Sequence, residues 1–460
     1  MSLAPIIAAN RFGLGARPGE IADIDTDPQG WLIAQIVGAR SASSELNGLP
    51  TSAAAFEAYA EALRQRRERK DAAENEMKAE PPTMENGRRQ IAAMYQQQVA
   101  ARYRLAAHTE EPFRERLVHF WTNHFAVSAD KAQVVGLAAT LEYEAIRPNL
   151  SGRFVDLLLA VEAHPAMILY LDNQASIGPN STVARRRERK LNINENLARE
   201  ILELHTLGVN GGYTQTDVTT FALALTGWSV GNKRSKTPER AGQFEFREAA
   251  HELGAKTVLG KRYVQDGIEQ PRAVLKDLAS HPATARHVAL KLARHFIADE
   301  PPASAVERLA KVFRDTGGDL PSVHRALVES PEAWQQAVTK FKTPHDFVVS
   351  TFRMLDFVPQ QPQQILSPFQ LLGQRPYSPG SPAGWPDTAS GWDGPDALLK
   401  RIEWASAVGD RMGSKAQPLV LGAQALGPAL AERTRIAISR AESGAQGLAL
   451  LLASPEFQRR

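Results

Sequence analysis

The densest gathering of chemically capable side chains in this 460-residue sequence is Asn194–His205. It carries Asn194, Glu195, Asn196, Arg199, Glu200, Glu203 and His205. On a regular helix Asn196, Glu200 and Glu203 share a face, at i, i+4 and i+7, while His205 falls among Leu197, Ile201 and Leu204. Two readings stand. In the plain one, Glu195, Arg199 and Glu203 form a solvated charge ladder and His205 is a satisfied core histidine. In the other, carboxylates and imidazole line one pocket and hold a metal ion. The sequence has no cysteine, so every protein ligand would be an oxygen or a nitrogen. The metal set would be His124, Glu200, Glu203 and His205. Glu200, Glu203, His251 and Asp172 would be the catalytic groups. Two histidines and one carboxylate suit ferrous iron and oxidative chemistry, whereas zinc or manganese suits hydrolysis by an activated water. Trp and Tyr near these motifs suit a shielded pocket and tilt the reading toward redox.

Each candidate has a plainer alternative. His124 ends an aromatic helix, where a cation is favoured by the dipole. Asp172-Asn173 closes an apolar helix, and such residues usually form turns. His251 lies in a loop before a hairpin pattern. Glu115 and His119 stand four apart on one helix face, a spacing that also suits a metal.

Other chemistries are excluded by motif. There is no P-loop, no HExxH, no GxSxG elbow and no GxGxxG after a strand. With 54 Lys+Arg against 51 Asp+Glu, a net charge of +3 makes no field for a polyanion such as nucleic acid. With 43% hydrophobic residues there is enough apolar surface for a large core. No run of some 18 apolar residues is present to span a membrane. The opening MSLAPIIAANRFGL lacks a basic n-region and a signal-length apolar core, so a cytoplasmic protein is expected.

The elements that must position these residues are mostly helical. Periodicity near 3.6 dominates, giving a mainly α fold: a multi-helix body, a projecting charged helical hairpin and one small β-hairpin. The organisation reads as an N-terminal helical segment (1–50) and a charged arm (51–110) broken at Pro81-Pro82. A motif-bearing core (111–265), a helical subdomain (266–360), and an aromatic loop with C-terminal helices (361–460) follow. Helices are expected at Pro112–Phe125, Leu137–Ile146, Arg153–Tyr170, Leu197–Leu207, Pro282–Phe296 and Pro344–Leu355. Thr214 should cap Gln215–Thr226, with Asp217 in its first turn. The alternating Thr257–Val264 should turn near Gly260-Lys261. Ser367–Pro395 reads as a Pro/Gly/Trp-rich loop.

Several phrases together carry a family resemblance. They are Arg11-Phe-Gly-Leu-Gly-Ala, Phe120-Trp-Thr-Asn-His-Phe125, Tyr170-Leu-Asp-Asn173 and Asn194–Gly208. Gly211–Val218, Ala224-Leu-Thr-Gly-Trp228, His251 with Lys256–Gly260, His281-Pro-Ala-Thr-Ala-Arg286, Pro382-Ala-Gly-Trp-Pro386 and Ser454-Pro-Glu-Phe complete the set. The chain resembles, over nearly its whole length, the large bacterial family designated domain of unknown function 1800. One departure is Thr122, where such proteins often have His, beside His119, where an apolar residue is common. It argues against both positions as ligands. The resemblance implies a fold and a motif set without an activity. It also implies a co-encoded protein bearing an export signal, so the alternatives to an enzyme and to the cytoplasm are a helical scaffold acting with that partner and co-export to the periplasm.

Overall fold

The computed structural model describes residues 2–37, 44–75, 86–186, 193–233, 235, 237–335 and 339–460. The fold is mainly α, with two small antiparallel strand pairs. Proline opens Pro112–His124, Pro165–Tyr170, Pro282–Phe296 and Pro344–Met354. In a first turn its missing N–H leaves no intrahelical bond unmade. Thr214 and Asp217 form a reciprocal capping box on Gln215–Leu225, as the sequence spacing predicts. One continuous apolar core runs from Ile6 to Phe457.

At its centre lies Pro112–His124. Phe113, Leu117, Val118, Phe120 and Trp121 bury its apolar surface, and Glu115, Arg116, His119 and His124 are buried with them. A helix enclosed on all sides must find a partner for each polar group it carries. Its neighbours supply most of them, from Leu141–Ile146, Arg147, Pro344–Met354 and the loop after Leu372.

Several expectations are corrected. Arg153–Tyr170 is two helices, Phe154–Glu162 and Pro165–Tyr170, because the residue before a proline is pushed out of helical conformation. His164 at that break is extended, and its ring accepts from the Ala166 N–H. Leu141–Ile146 and Ile201–His205 are wider π turns, which shift each later side chain around the axis. Gln363–Leu372 is a helix despite Pro368, since Ile365, Phe369 and Leu372 bury one face. A strand at Trp228–Val230, absent from the sequence reading, pairs with Phe244–Phe246. The hairpin Lys256–Val258 and Lys261–Tyr263 turns at Leu259-Gly260, one residue earlier than expected, with both at positive φ.

The charged arm consists of Ser52–Asn75 and Asn86–His108. Its base does not project. Ala55, Ala58, Ala62, Ile91, Val99, Tyr103 and Ala106 are buried, so the second helix ends inside the body. Pro81-Pro82 lies outside the described residues. Among the described residues no helix is long and apolar enough to cross a membrane.

Candidate active site

The structure brings His124 and His205 together, with ring centroids 6.2 Å apart and both side chains buried. The π turn that ends at His205 frees backbone carbonyls, and imidazoles cap them. His124 Nε2 donates to His205 O at 3.1 Å, and His287 Nε2 donates to Leu204 O at 3.0 Å. His205 Nδ1 lies 2.8 Å from Glu162 Oε1, a fully enclosed pair. Burial holds the His124 ring neutral, well below the usual histidine range.

The expected metal set does not gather. Among the described residues no group of three or more His, Asp or Glu could hold a metal ion. Glu203 is half-buried and accepts from Tyr213 Oη at 3.3 Å. Glu200 is half-buried too, and burial raises its pKa. His251 stands elsewhere, with Nδ1 bonded to Thr226 O at 2.9 Å. Asp172 is half-exposed at positive φ and pairs with Lys131 at 2.7 Å.

A different set converges on an open cleft lined by Arg102, Tyr103, His119, Phe125, His345 and Trp385. His119 Nδ1 lies 2.8 Å from His345 Nε2, and His345 Nδ1 lies 3.1 Å from Tyr103 Oη. At the other end His119 Nε2 is 3.2 Å from Glu115 Oε1, short of good hydrogen-bond geometry. Ligand-free sites often show such loose contacts. Arg147 clamps Glu115 through Nη1 at 2.7 Å and Nη2 at 2.5 Å, and also holds Glu142. Glu142 further meets Arg102 at 3.2 Å and Tyr377 Oη at 3.0 Å.

Electrostatics fix the proton positions. Burial, and then Arg102, hold His119 well below its ordinary pKa; burial, and then the His119 ring, do the same for His345. Both rings are therefore neutral near pH 7. Burial pushes the Tyr103 phenol up, so it keeps its proton. Burial works against the charge of Glu142, but Arg102 and Arg147 outweigh it and hold its pKa low. With Glu115 drawing the proton on His119 Nε2, a single direction follows: Tyr103 donates to His345, His345 to His119, and His119 faces Glu115.

The family model described as protein of unknown function (DUF1800) matches residues 7–459. The chain belongs to this family. No curated protein and no solved structure matches it.

In this DUF1800 chain most of the motif phrases act as staples between loops and helices. Gly13 O accepts from Arg116 Nε, and Gly15 O accepts from Arg353 Nε at 2.6 Å. Asn173 Nδ2 donates to Leu225 O and Trp228 O. Asn123 and Trp385 exchange two hydrogen bonds, 2.9 and 2.8 Å, and clip the aromatic loop across the cleft. Gly384, at φ +82°, must be glycine there, since a Cβ would meet Asn123 O at 2.4 Å.

Sequence reasoning sees only Glu115 and His119 of the relay, through their i, i+4 spacing, and reads them as an ordinary helix pair. Tyr103, Glu142, Arg147 and His345 come from three other elements and carry no joint spacing. The one available signal is local: His345 sits between Pro344 and Asp346 in a helix first turn, where an imidazole has no capping role.

Proposed function

We propose that the chain is an enzyme working by general acid–base catalysis on a small organic molecule bound in the His119–His345 cleft. The observation that carries this reading is the one-directional chain Tyr103–His345–His119–Glu115, with two neutral imidazoles in series. A neutral imidazole can accept a proton at one nitrogen while releasing one at the other, so a series of two passes a proton without separating charge across the site. Glu115, clamped by Arg147, orients the first ring and stabilises it when protonated. Phe125, Leu141 and Trp385 give the cleft apolar walls.

The test is nitrogen-15 NMR of the histidine rings at pH 7. Both His119 and His345 should be neutral and protonated at Nε2, and Tyr103→Phe should move the His345 Nδ1 signal. Protonated rings, or a mixture of tautomers insensitive to Tyr103, would remove the basis of the proposal.

One observation favours a second reading, a bound divalent ion such as iron, manganese or zinc. His124 Nδ1 and His205 Nε2 are buried nitrogens with no partner. Because His124 Nε2 donates to the His205 carbonyl and burial keeps the ring neutral, His124 Nδ1 carries a lone pair. Elemental analysis of protein purified without chelator tests it: near-stoichiometric metal lost in His205→Ala supports the ion, and metal-free protein after reconstitution rejects it. A scaffold that acts with a co-encoded exported protein has no such supporting observation.

A further inference from the structure

We propose that the ligand of the cleft carries an oxyanion head group, a carboxylate or a phosphate, on an apolar body, and that Arg102 receives the head group. The inference rests on the acid–base reading only for the choice of cleft. Arg102 is 7% exposed and lines the cleft. One of its nitrogens meets Glu142, and its plane lies 4.7 Å from the Tyr377 ring, yet its Nε has no hydrogen-bond partner. A desolvated guanidinium with a spare N–H is a strong site for an oxyanion.

The charges behind the cleft agree. Asp346, a lining residue, is the single carboxylate held by Arg116 at 2.8 Å and Arg460 at 2.9 Å. Arg401, nearby, bonds only neutral groups: Gln458 Oε1 and the Lys342 carbonyl. Lys342 adds little to this charge, because burial brings its ammonium pKa down to about 7. Asp387 also lines the cleft, so the guanidinium groups of Arg116, Arg401 and Arg460 exceed the two carboxylates by one. Glu115 and Glu142 are balanced by Arg147 and Arg102 together. The histidine pair is neutral and contributes no charge of either sign. A cleft with low-dielectric walls concentrates this surplus on whatever enters. Phe125, Leu141, Pro376 and Trp385 offer the apolar body its contacts.

The experiment is calorimetric titration of the full chain with four probes of one size: benzoate, phenyl phosphate, benzyl alcohol and benzylamine. At least one oxyanion should bind at least tenfold more tightly than benzyl alcohol, and benzylamine should not bind. The preferred oxyanion identifies the head group. Binding should weaken as salt is raised. Arg102→Lys keeps the charge and removes the planar Nε donor, so it should weaken oxyanion binding at least tenfold. If that variant does not fold, a benzoate-induced shift of the Arg102 Nε–H resonance in the wild type reports the same contact, and its absence overturns the proposal. Equal binding of benzyl alcohol and the oxyanions overturns the proposal. So does absence of oxyanion binding at millimolar concentration, or a folded Arg102→Lys that binds as wild type. None of these outcomes involves turnover or tautomers, so the relay can stand or fall independently.

Discussion

Two pairs of histidines, His124 with His205 and His119 with His345, meet on the helix Pro112–His124 and differ in what surrounds them. His124 and His205 are sealed among Phe125, Trp121 and the turn at Gly208, and their polar bonds close off backbone carbonyls and one carboxylate. His119 and His345 stand at a cleft, bonded in series to a tyrosine at one end and facing a clamped glutamate at the other. The first pair repairs what a π turn leaves open. The second repairs nothing in the backbone, since neither ring bonds a main-chain carbonyl. Two histidines in the core are thus not equivalent evidence for chemistry. What decides is whether each ring answers a structural need or waits for a ligand.

The largest expected effect reaches both pairs and follows from the neutrality of His119, His124 and His345. Burial lowers His119, His124 and His345 well below 6.5, His287 and His295 to about 4, and His324 to about 3. Above pH 6.5 these rings are neutral folded and unfolded alike, and the native state keeps its full stability. Below 6.5 the unfolded chain takes up protons that the folded chain refuses. Each such ring then costs about 1.4 kcal/mol per pH unit until its own folded value is reached. Urea unfolding measured from pH 7.5 to 5 should show stability falling steeply below 6.5, with uptake of several protons. A flat profile would mean that the rings are charged inside the fold.

Arg147→Met should come next. It leaves Glu115 and Glu142 buried without their shared cation, a loss of about 3–5 kcal/mol by urea titration. Reduced stability should come with protonation of His119, whose ring would then be drawn to an uncompensated carboxylate. A loss below about 1 kcal/mol would show that water already reaches both groups.

Glu162→Gln sharpens the comparison from the sealed side. It removes the charge that orients His205 and should cost about 1–3 kcal/mol. Probe binding in the cleft should not change. A parallel loss of cleft binding would show the two pairs to be one coupled unit.

Tyr103→Phe is the mildest in stability, about 1 kcal/mol for one hydroxyl bond. It should nonetheless abolish relay behaviour in the ring nitrogen spectra. Milder still is replacement of residues 66–88 by a short Gly/Ser linker. The arm's buried contacts are mostly nearer its base, so the melting temperature should move by only a few degrees, reflecting loss of Gly87 against Ala62.

The sequence was most legible where a rule is local. Thr214 with Asp217 capped the helix that their spacing predicts, and Pro282–Phe296 began at its proline and ended where expected. It misled where one element's geometry depended on another. The wheel drawn through Asn194–His205 assumed a regular helix, and the π turn at Ile201–His205 is stabilised by His124 and His287 from distant helices. Glu200 and Glu203 are candidates by their density of polar neighbours and His251 by its loop. In the structure His251 bonds the Thr226 carbonyl, away from the glutamates, which sit half-buried beside Tyr213 and Arg199.

The amino-acid sequence by itself determined the helical class, most helix starts, the family and the absence of thiolate chemistry. Those follow from periodicity, proline, capping side chains and composition, each readable within a few residues. Only the tertiary structure decided which histidines face a cleft. Tyr103, Glu115, His119, Glu142, Arg147 and His345 come from four segments spread over more than half the chain. Their proton order and neutrality depend on burial and on charges brought near by packing, and neither exists until the core has closed around them.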